Sequence, residues 1–417
     1  MLKYFSVTIF ILLFSVAQIS CAPSFPNLPD VSQPVVQAAV QKNAPKTICL
    51  NMIVKNETDV IRRCLASVKP IISHWVIVDT GSTDGTQAMI KEFMKDVPGE
   101  LHERPWVNFA HNRTEAVELA KDKADYLLFI DADEVLEFSN TFTMPRLDKD
   151  LYYIMTHFNG TKYLRAQLVN NHLDWKWLGV IHEVVDSPAL QTRATLEGVF
   201  NVVRTDGARS KDPKKFHKDA AVLEAALKKE PDHARYQFYL AQSYRDAGEI
   251  ELALRHYTKR VEMGGWDQEI FWSLLQIAIL QEELKMPADT VIDSYQKAFK
   301  YRPSRAEPLY RLAEYHRKNE NFLEGYRAAL LGLTIKEPEE VLFLENWMYD
   351  YGMLFSFSIC AYWSGRYTES QLACQLLLTN QQLPEAIRDR VEKNLWCCNT
   401  KITEANDMAS HVAKVAQ

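Results

Sequence analysis

The chain has 417 residues, a formal net charge of −6, 47% hydrophobic and 24% charged residues. Single cores stop growing near ~250–300 residues, so this length predicts two domains of ordinary globular composition. The negative balance and the lack of a Lys/Arg run exclude a nucleic-acid partner, which would need a basic face. The seven cysteines, at 21, 49, 64, 360, 374, 397 and 398, show no CxxC or CxxH spacing, which argues against a structural zinc site. Cys49 and Cys64 lie in apolar patterns and read as buried, reduced thiols.

The first segment stands apart. Met1-Leu2-Lys3 gives a short positive start and Tyr4 to Ile19 is mostly apolar. That length fits a signal-like h-region better than a spanning helix, with Ser20-Cys21-Ala22 as a small-residue cleavage site. Residues 1–22 are expected to be a signal peptide or N-terminal anchor and 23–45 a linker. The protein is accordingly expected in the secretory pathway, exported, or held at a membrane by this segment.

From Lys46 strand and helix alternate. Thr47–Val54 reads as a strand, and Val60, Ile61, Cys64, Leu65 and Val68 share one helical face. Trp75–Val78 is a second strand, ending in Asp79-Thr80-Gly81-Ser82-Thr83-Asp84-Gly85-Thr86, and a helix runs from there to about Met94. A short strand follows near Leu101, then a helix over Ala110–Lys121. Tyr126–Ile130, five apolar residues in succession, reads as a strand buried on both faces. It gives way to Asp131-Ala132-Asp133-Glu134, three carboxylates within four residues. Like charges so close raise one another's pKa, and a divalent cation bridging a diphosphate would relieve them. Such alternation predicts a mostly parallel α/β sheet with ligands at the carboxyl ends of its strands, where all three acid-bearing motifs lie.

After Asp212 the pattern is helical throughout. Ala226-Leu227-Lys228-Lys229-Glu230-Pro231 recurs 72 positions later as Ala298-Phe299-Lys300-Tyr301-Arg302-Pro303, and Pro338 follows Pro303 by 35. Two periods near 36 and one of 35 predict tetratricopeptide-like helical hairpins, with helices continuing through 341–363, 367–379 and 384–398. The expected domains are 46–211 and 212–400, with a tail over 401–417.

Taken alone, Asp79–Thr86 is also an ordinary turn and helix cap. It is not GxGxxG, and no GxxxxGK[ST] occurs, so neither a dinucleotide fingerprint nor a P-loop is present. The order of motifs, however, resembles that of the family 2 glycosyltransferases of GT-A fold. The resemblance rests on Val54-Lys55-Asn56-Glu57, on Asp79–Thr86 and on Asp131-Ala132-Asp133-Glu134. The run Trp175-Lys176-Trp177-Leu178-Gly179-Val180-Ile181-His182-Glu183 is similar to a segment of a subgroup fused to tetratricopeptide helices.

The resemblance implies an inverting transfer from a nucleotide-diphosphate sugar to a glycan, protein or lipid acceptor, with Mn²⁺ or Mg²⁺ as cofactor. Asn56, Glu57, Asp79, Ser82, Asp84 and Asp131 would line the donor site, Asp79 contacting the base. Asp131 would touch ribose or metal, Asp133 would ligate the metal, and His182 would be an added ligand. The base that deprotonates the acceptor would be Glu183, or else Asp174. His182-Glu183-Val184-Val185-Asp186 is not HExxH, so zincin chemistry is not indicated. Trp175 and Trp177 read equally as an aromatic wall for a sugar ring or as core. For Asn112-Arg113 a solvated helix face is a simpler reading than phosphate contact. The helical repeats would bind the acceptor, a protein partner or a second copy of the chain.

Two other classes are open. A peptide-binding repeat scaffold with a retired glycosyltransferase domain would show no heat on titration with nucleotide sugars. A nucleotidyltransferase would need a glycine-rich, basic loop after the first strand, which Lys55-Asn56-Glu57 is not. The sequons at Asn56, Asn112 and Asn159 are about as many as chance would give.

Overall fold

The computed structural model describes residues 45–415, apart from 159–160 and 341. The expected leader and linker, and the sequon at Asn159, therefore lie outside the described residues. No helix among the described residues is long and apolar enough to cross a membrane.

The sheet region begins with β1 (Ile48–Val54), α1 (Ile61–Val68), β2 (His74–Asp79), α2 (Thr86–Phe93), β3 (Gly99–Glu103), α3 (Phe109–Leu119) and β4 (Tyr126–Phe129). Alternate side chains of β1 enter two different cores. Ile48, Leu50, Met52 and Val54 pack with Ile61, Cys64, Leu65 and Val68 of α1, whereas Cys49 faces Val117 beneath α3. The spacing i, i+3, i+4, i+7 in α1 is what turns one apolar stripe inward. With helices on both faces the strands must be apolar throughout, and every residue of β4 is buried.

Six further strands follow: β5 (Glu134–Phe138), β6 (Leu151–Phe158), β7 (Thr161–Asn170), β8 (Lys176–Leu178), β9 (Val184–Asp186) and β10 (Arg193–Val203). The eight-stranded sheet has the order β3-β2-β1-β4-β7-β6-β10-β5, and β8 pairs with β9 as a separate ribbon. The β1–β2, β2–β3, β1–β4 and β6–β10 pairs are parallel, while β4–β7, β6–β7 and β5–β10 are antiparallel. The parallel core brings the ends of β1, β2 and β4 to one edge, as the alternation predicts.

The helices are α4 (Lys215–Lys229), α5 (Ala234–Asp246), α6 (Ile250–Glu262), α7 (Asp267–Glu283), α8 (Ala288–Tyr301), α9 (Glu307–Lys318), α10 (Phe322–Gly332), α11 (Met353–Trp363), α12 (Tyr367–Thr379) and α13 (Glu385–Val415). Each packs on the next, so the core is one continuous stack of helical hairpins. Two expectations change. Residues 342–345 are not helical: Leu342 and Leu344 are buried, Leu344 bridges to Lys162 of β7, and a π-helical turn over Met348–Gly352 leads into α11. The tail is not separate either, because α13 continues to Val415, with Lys401 paired to Glu404 one turn on.

The two regions meet closely. Ile181 is buried in the helical core, and Arg235 of α5 donates to the carbonyl of His182 at 3.2 Å. Six of the seven cysteines lie among the described residues, and all six are free thiols, including Cys397 and Cys398.

Candidate functional site

The first two motifs are laced together by hydrogen bonds. Asn56, at φ 57°, donates its amide to Ser82 Oγ at 2.8 Å, and Thr83 N–H donates to Asn56 Oδ1 at 2.8 Å. Glu57 N–H meets Thr86 Oγ1 at 2.8 Å, and Thr58 N–H meets Asp84 Oδ2 at 3.1 Å. Gly81 and Gly85, at φ 107° and 95°, hold left-handed turns that a side chain would strain. Asn56, Ser82 and Asp84 thus spend polar atoms on shaping the turn. Burial pushes the Asp84 carboxyl upward, but bonds from Thr86 and Thr58 outweigh it and hold it low. Asp79 Oδ1 accepts from Gly81 N–H and Ser82 N–H, each at 2.8 Å, while its Oδ2 is buried with no partner among the described residues. A buried acceptor without a donor is costly, and an incoming N–H would satisfy it.

At the end of β4 the acids do not stand alone. Arg113 Nη2 donates to Asp131 Oδ1 at 2.5 Å and Arg165 Nη2 to Asp131 Oδ2 at 2.9 Å. Arg165 also pairs with buried Glu134, and Arg113 Nε donates to Glu183 Oε1 at 2.6 Å. The result is an alternating chain: Glu183, Arg113, Asp131, Arg165, Glu134. Burial acts first on Asp131 and would raise it, yet the two guanidinium groups depress its pKa. Glu134 is raised, by burial and by Asp131, against the pull of Arg165. Guanidinium groups therefore take both oxygens of Asp131, the partners that the sequence reading assigned to metal or ribose. The solvated-face reading of Asn112-Arg113 is also overturned. Both residues are buried, and Asn112 accepts from Val107 N–H and donates to Pro105 C=O.

Asp133 has a different setting. No Lys, Arg or His pairs with it among the described residues, and it lies against Gly207, where an added Cβ would stand 2.9 Å from Oδ2. Burial raises its pKa first, and Asp131 and Asp206 add to the rise. Glu57 is pushed up to about 7 by burial, relieved by the Ala208 N–H at 3.1 Å and raised again by Asp133, Asp131 and Asp84. Two carboxylates with raised pKa values and no cation paired to either among the described residues are short of positive charge. No group of three His, Cys, Asp or Glu side chains able to hold a metal occurs among the described residues. One or two carboxylates completed by phosphate oxygens is nevertheless the usual set for Mg²⁺, and Asp133 with Glu57 fits it.

Residues 204–211 cross this acidic site as a strap. Arg204 N–H donates to the Asp133 carbonyl at 3.1 Å, Asp206 pairs with Arg63 at 2.6 Å, and Lys211 pairs with Asp59 at 2.7 Å. Arg209 pairs with Asp219 of α4.

The remaining predicted residues separate. His182, at φ 52°, stacks on Tyr239 of α5 at 3.9 Å. Desolvation by its neighbours first, then Arg209, Arg235 and Lys215, press its pKa down, although one side of the residue is exposed to solvent. Glu183 is tied to the centre through Arg113. Asp174 is not in the site: it pairs with Lys121, beyond the far end of α3, near the amino end of β4 where Asn171 N–H meets Asp125 C=O. Trp175 and Trp177 are core residues; Trp175 Nε1 donates to the Asn170 carbonyl at 2.8 Å, and Arg113 lies 5.0 Å over the Trp177 ring. Sequence reasoning missed Arg165, Gly207 and the strap. Arg165 is one cation in an amphipathic strand, and no local pattern marks its partners.

Residues 49–141 match the model of glycosyl transferase family 2. Among curated proteins, a TPR repeat-containing protein of Synechococcus elongatus is 27% identical over 60% of this chain and 65% of its own length. The prophage-derived glycosyltransferase SunS of Bacillus subtilis is 35% identical over 28% of this chain and 27% of its own. An uncharacterised glycosyltransferase of Rickettsia felis is 31% identical over 28% and 37%. The chain thus spans less than two thirds of each of these relatives. Among solved structures, the TPR protein YrrB aligns at a TM-score of 0.33 and 9% identity, over 43% of this chain and 84% of that one.

Proposed function

We propose, from the premise that this chain carries a glycosyltransferase family 2 domain joined to tetratricopeptide-like helices, that it transfers a sugar from a nucleotide-diphosphate donor with inversion. The supporting observation is the asymmetry between Asp131, clasped by Arg113 and Arg165, and Asp133, which with Glu57 is left without a cation.

In this reading Asp133 and Glu57 would hold Mn²⁺ or Mg²⁺ together with the donor phosphates, while His182 stays stacked on Tyr239. Such an ion would stabilise charge developing on the departing diphosphate. Asp131, held on both oxygens by Arg113 and Arg165, would use a remaining lone pair for the ribose. Asp79 Oδ2 accepts from the base. Glu183, oriented by its pair with Arg113, takes the proton of the acceptor hydroxyl as its oxygen bonds to the anomeric carbon and the bond to the diphosphate breaks. The helical stack presents the acceptor, a glycan, protein or lipid.

The test is metal-dependent hydrolysis or transfer from a panel of nucleotide sugars. Asp133→Asn is expected to lower the rate at least ~100-fold, in the range reported for removing a group that stabilises transition-state charge. Full activity in that variant would remove the metal role. No heat from any nucleotide sugar with Mn²⁺ would instead favour the scaffold reading.

A further inference from the structure

Beyond Arg113 and Arg165, which clasp Asp131, three further cations approach the site from outside the sheet. Arg209 stands on the strap, Lys215 opens α4 and Arg235 lies in α5. All three act on the His182 imidazole, and Lys215 also feels the charge of Asp133. Two of the three are occupied. Arg235 lies 4.9 Å over Tyr239, donates to His182 C=O and reaches Glu269 at 3.5 Å. Arg209 lies 4.9 Å over Phe109 and pairs with Asp219, which fixes one edge of its guanidinium and leaves other N–H groups free to turn toward the site.

Lys215 is different. It is half-buried, its ammonium lies 5.2 Å over the Phe216 ring, and it makes no ion pair or hydrogen bond among the described residues. Arg209 is its principal charged neighbour, of like sign, and Asp219 is the next. Asp219 is committed to Arg209, which leaves the half-buried ammonium of Lys215 without a bonded partner for an anion to supply. The strap ties these cations to the acids: Gly207, two residues before Arg209, packs on Asp133, and Ala208 N–H, one residue before it, holds Glu57. An anion seated between these groups would meet carboxylates that need a divalent cation on one side and a free ammonium on the other. A diphosphate has the charge for both.

We propose that Lys215, with Arg209 beside it, binds the diphosphate of the donor, so that the helical region completes the donor site as well as presenting an acceptor. The inference rests on the donor-site reading above and deepens it. Inorganic pyrophosphate is the probe, titrated calorimetrically into the full chain with and without Mg²⁺. Lys215→Met is expected to weaken binding about tenfold under both conditions, the scale of one charge-assisted hydrogen bond, while Lys215→Arg stays close to wild type. Lys218→Met removes an exposed lysine of the same helix, paired with Asp212 at 2.5 Å, and is expected to bind as wild type does.

Unchanged binding in Lys215→Met overturns the inference. So does equal weakening in Lys215→Arg, which marks a packing defect, or in Lys218→Met, which marks a general field. The parent reading fails separately: it requires Mg²⁺ to tighten pyrophosphate binding in wild type and Asp133→Asn to abolish that gain. Loss of that metal effect, with the metal-free effect of Lys215→Met intact, removes the metal site and leaves the anion seat.

Discussion

The imidazole of His182 lies flat on the phenol ring of Tyr239, with centroids 3.9 Å apart and 12° between the planes. One ring comes from the loop between β8 and β9, the other from α5, and Arg235 covers Tyr239 while bonding the His182 backbone. Tyr239→Ala removes a large buried ring from the junction and is expected to cost ~3–5 kcal/mol of stability, by analogy with aromatic truncations in cores. Tyr239→Phe keeps the stack and should cost far less. Urea midpoints of the two variants check the difference.

Arg165 is the only cation paired with buried Glu134 among the described residues, and it shares Asp131 with Arg113. Arg165→Met would strand a carboxylate in the core, an expected loss of ~3–5 kcal/mol. Adding Glu134→Gln removes the stranded charge. The double variant is expected to recover part of the loss in denaturant titration, whereas simple additivity would show the pair to be uncoupled.

Gly207→Ala places a methyl group 2.9 Å from Asp133 Oδ2 and 3.0 Å from its Cβ. The Asp133 side chain must swing away, at ~1–3 kcal/mol for an overpacked site. If Asp133 serves the metal, the requirement for Mn²⁺ or Mg²⁺ should rise by more than this stability loss explains. A metal titration of activity beside a thermal melt separates the two effects.

Asp125 sits where the sheet begins, accepting from Lys46 Nζ, Thr47 N–H and Thr47 Oγ1, each at 2.8 Å. Burial would raise its pKa, but these donors win and bring it down to about 2. A carboxyl depressed by folding adds stability above its unfolded pKa, ~4, and loses that contribution as pH falls through 2. Allowing for solvent screening, the effect is on the order of 1 kcal/mol. Asp125→Asn should therefore be less stable at neutral pH and show a shallower decline between pH 4 and 2, measured by chemical denaturation across pH.

The parallel core was legible because its signals are local. Apolar runs such as Tyr126–Ile130 declare a strand with both faces covered, and the α1 spacing declares its helix. The helical repeats showed through their period. What escaped were partnerships across the chain: Arg113 with Glu183 spans 70 positions, Arg165 with Asp131 spans 34, and Ala208 with Glu57 spans 151. Each is decided by topology. Arg113 was misread for this reason, since an arginine early in a helix is ordinarily solvated until a neighbouring strand brings it carboxylates. Asp174 was misread for the converse reason: closeness in sequence to His182 and Glu183 does not carry it to the same end of the sheet.

The strap over residues 204–211 also sets an order of events during synthesis. A nascent chain that has reached Val203 holds every strand of the sheet and all the acids of the site. It has neither the backbone amide that meets Glu57 nor the glycine that packs on Asp133. Both arrive just before α4, and the ring that supports His182 arrives with α5. A fragment that stops short of α5 carries the segment that matches glycosyl transferase family 2 without the Tyr239 ring against His182, and under the proposed function it is expected to be inactive.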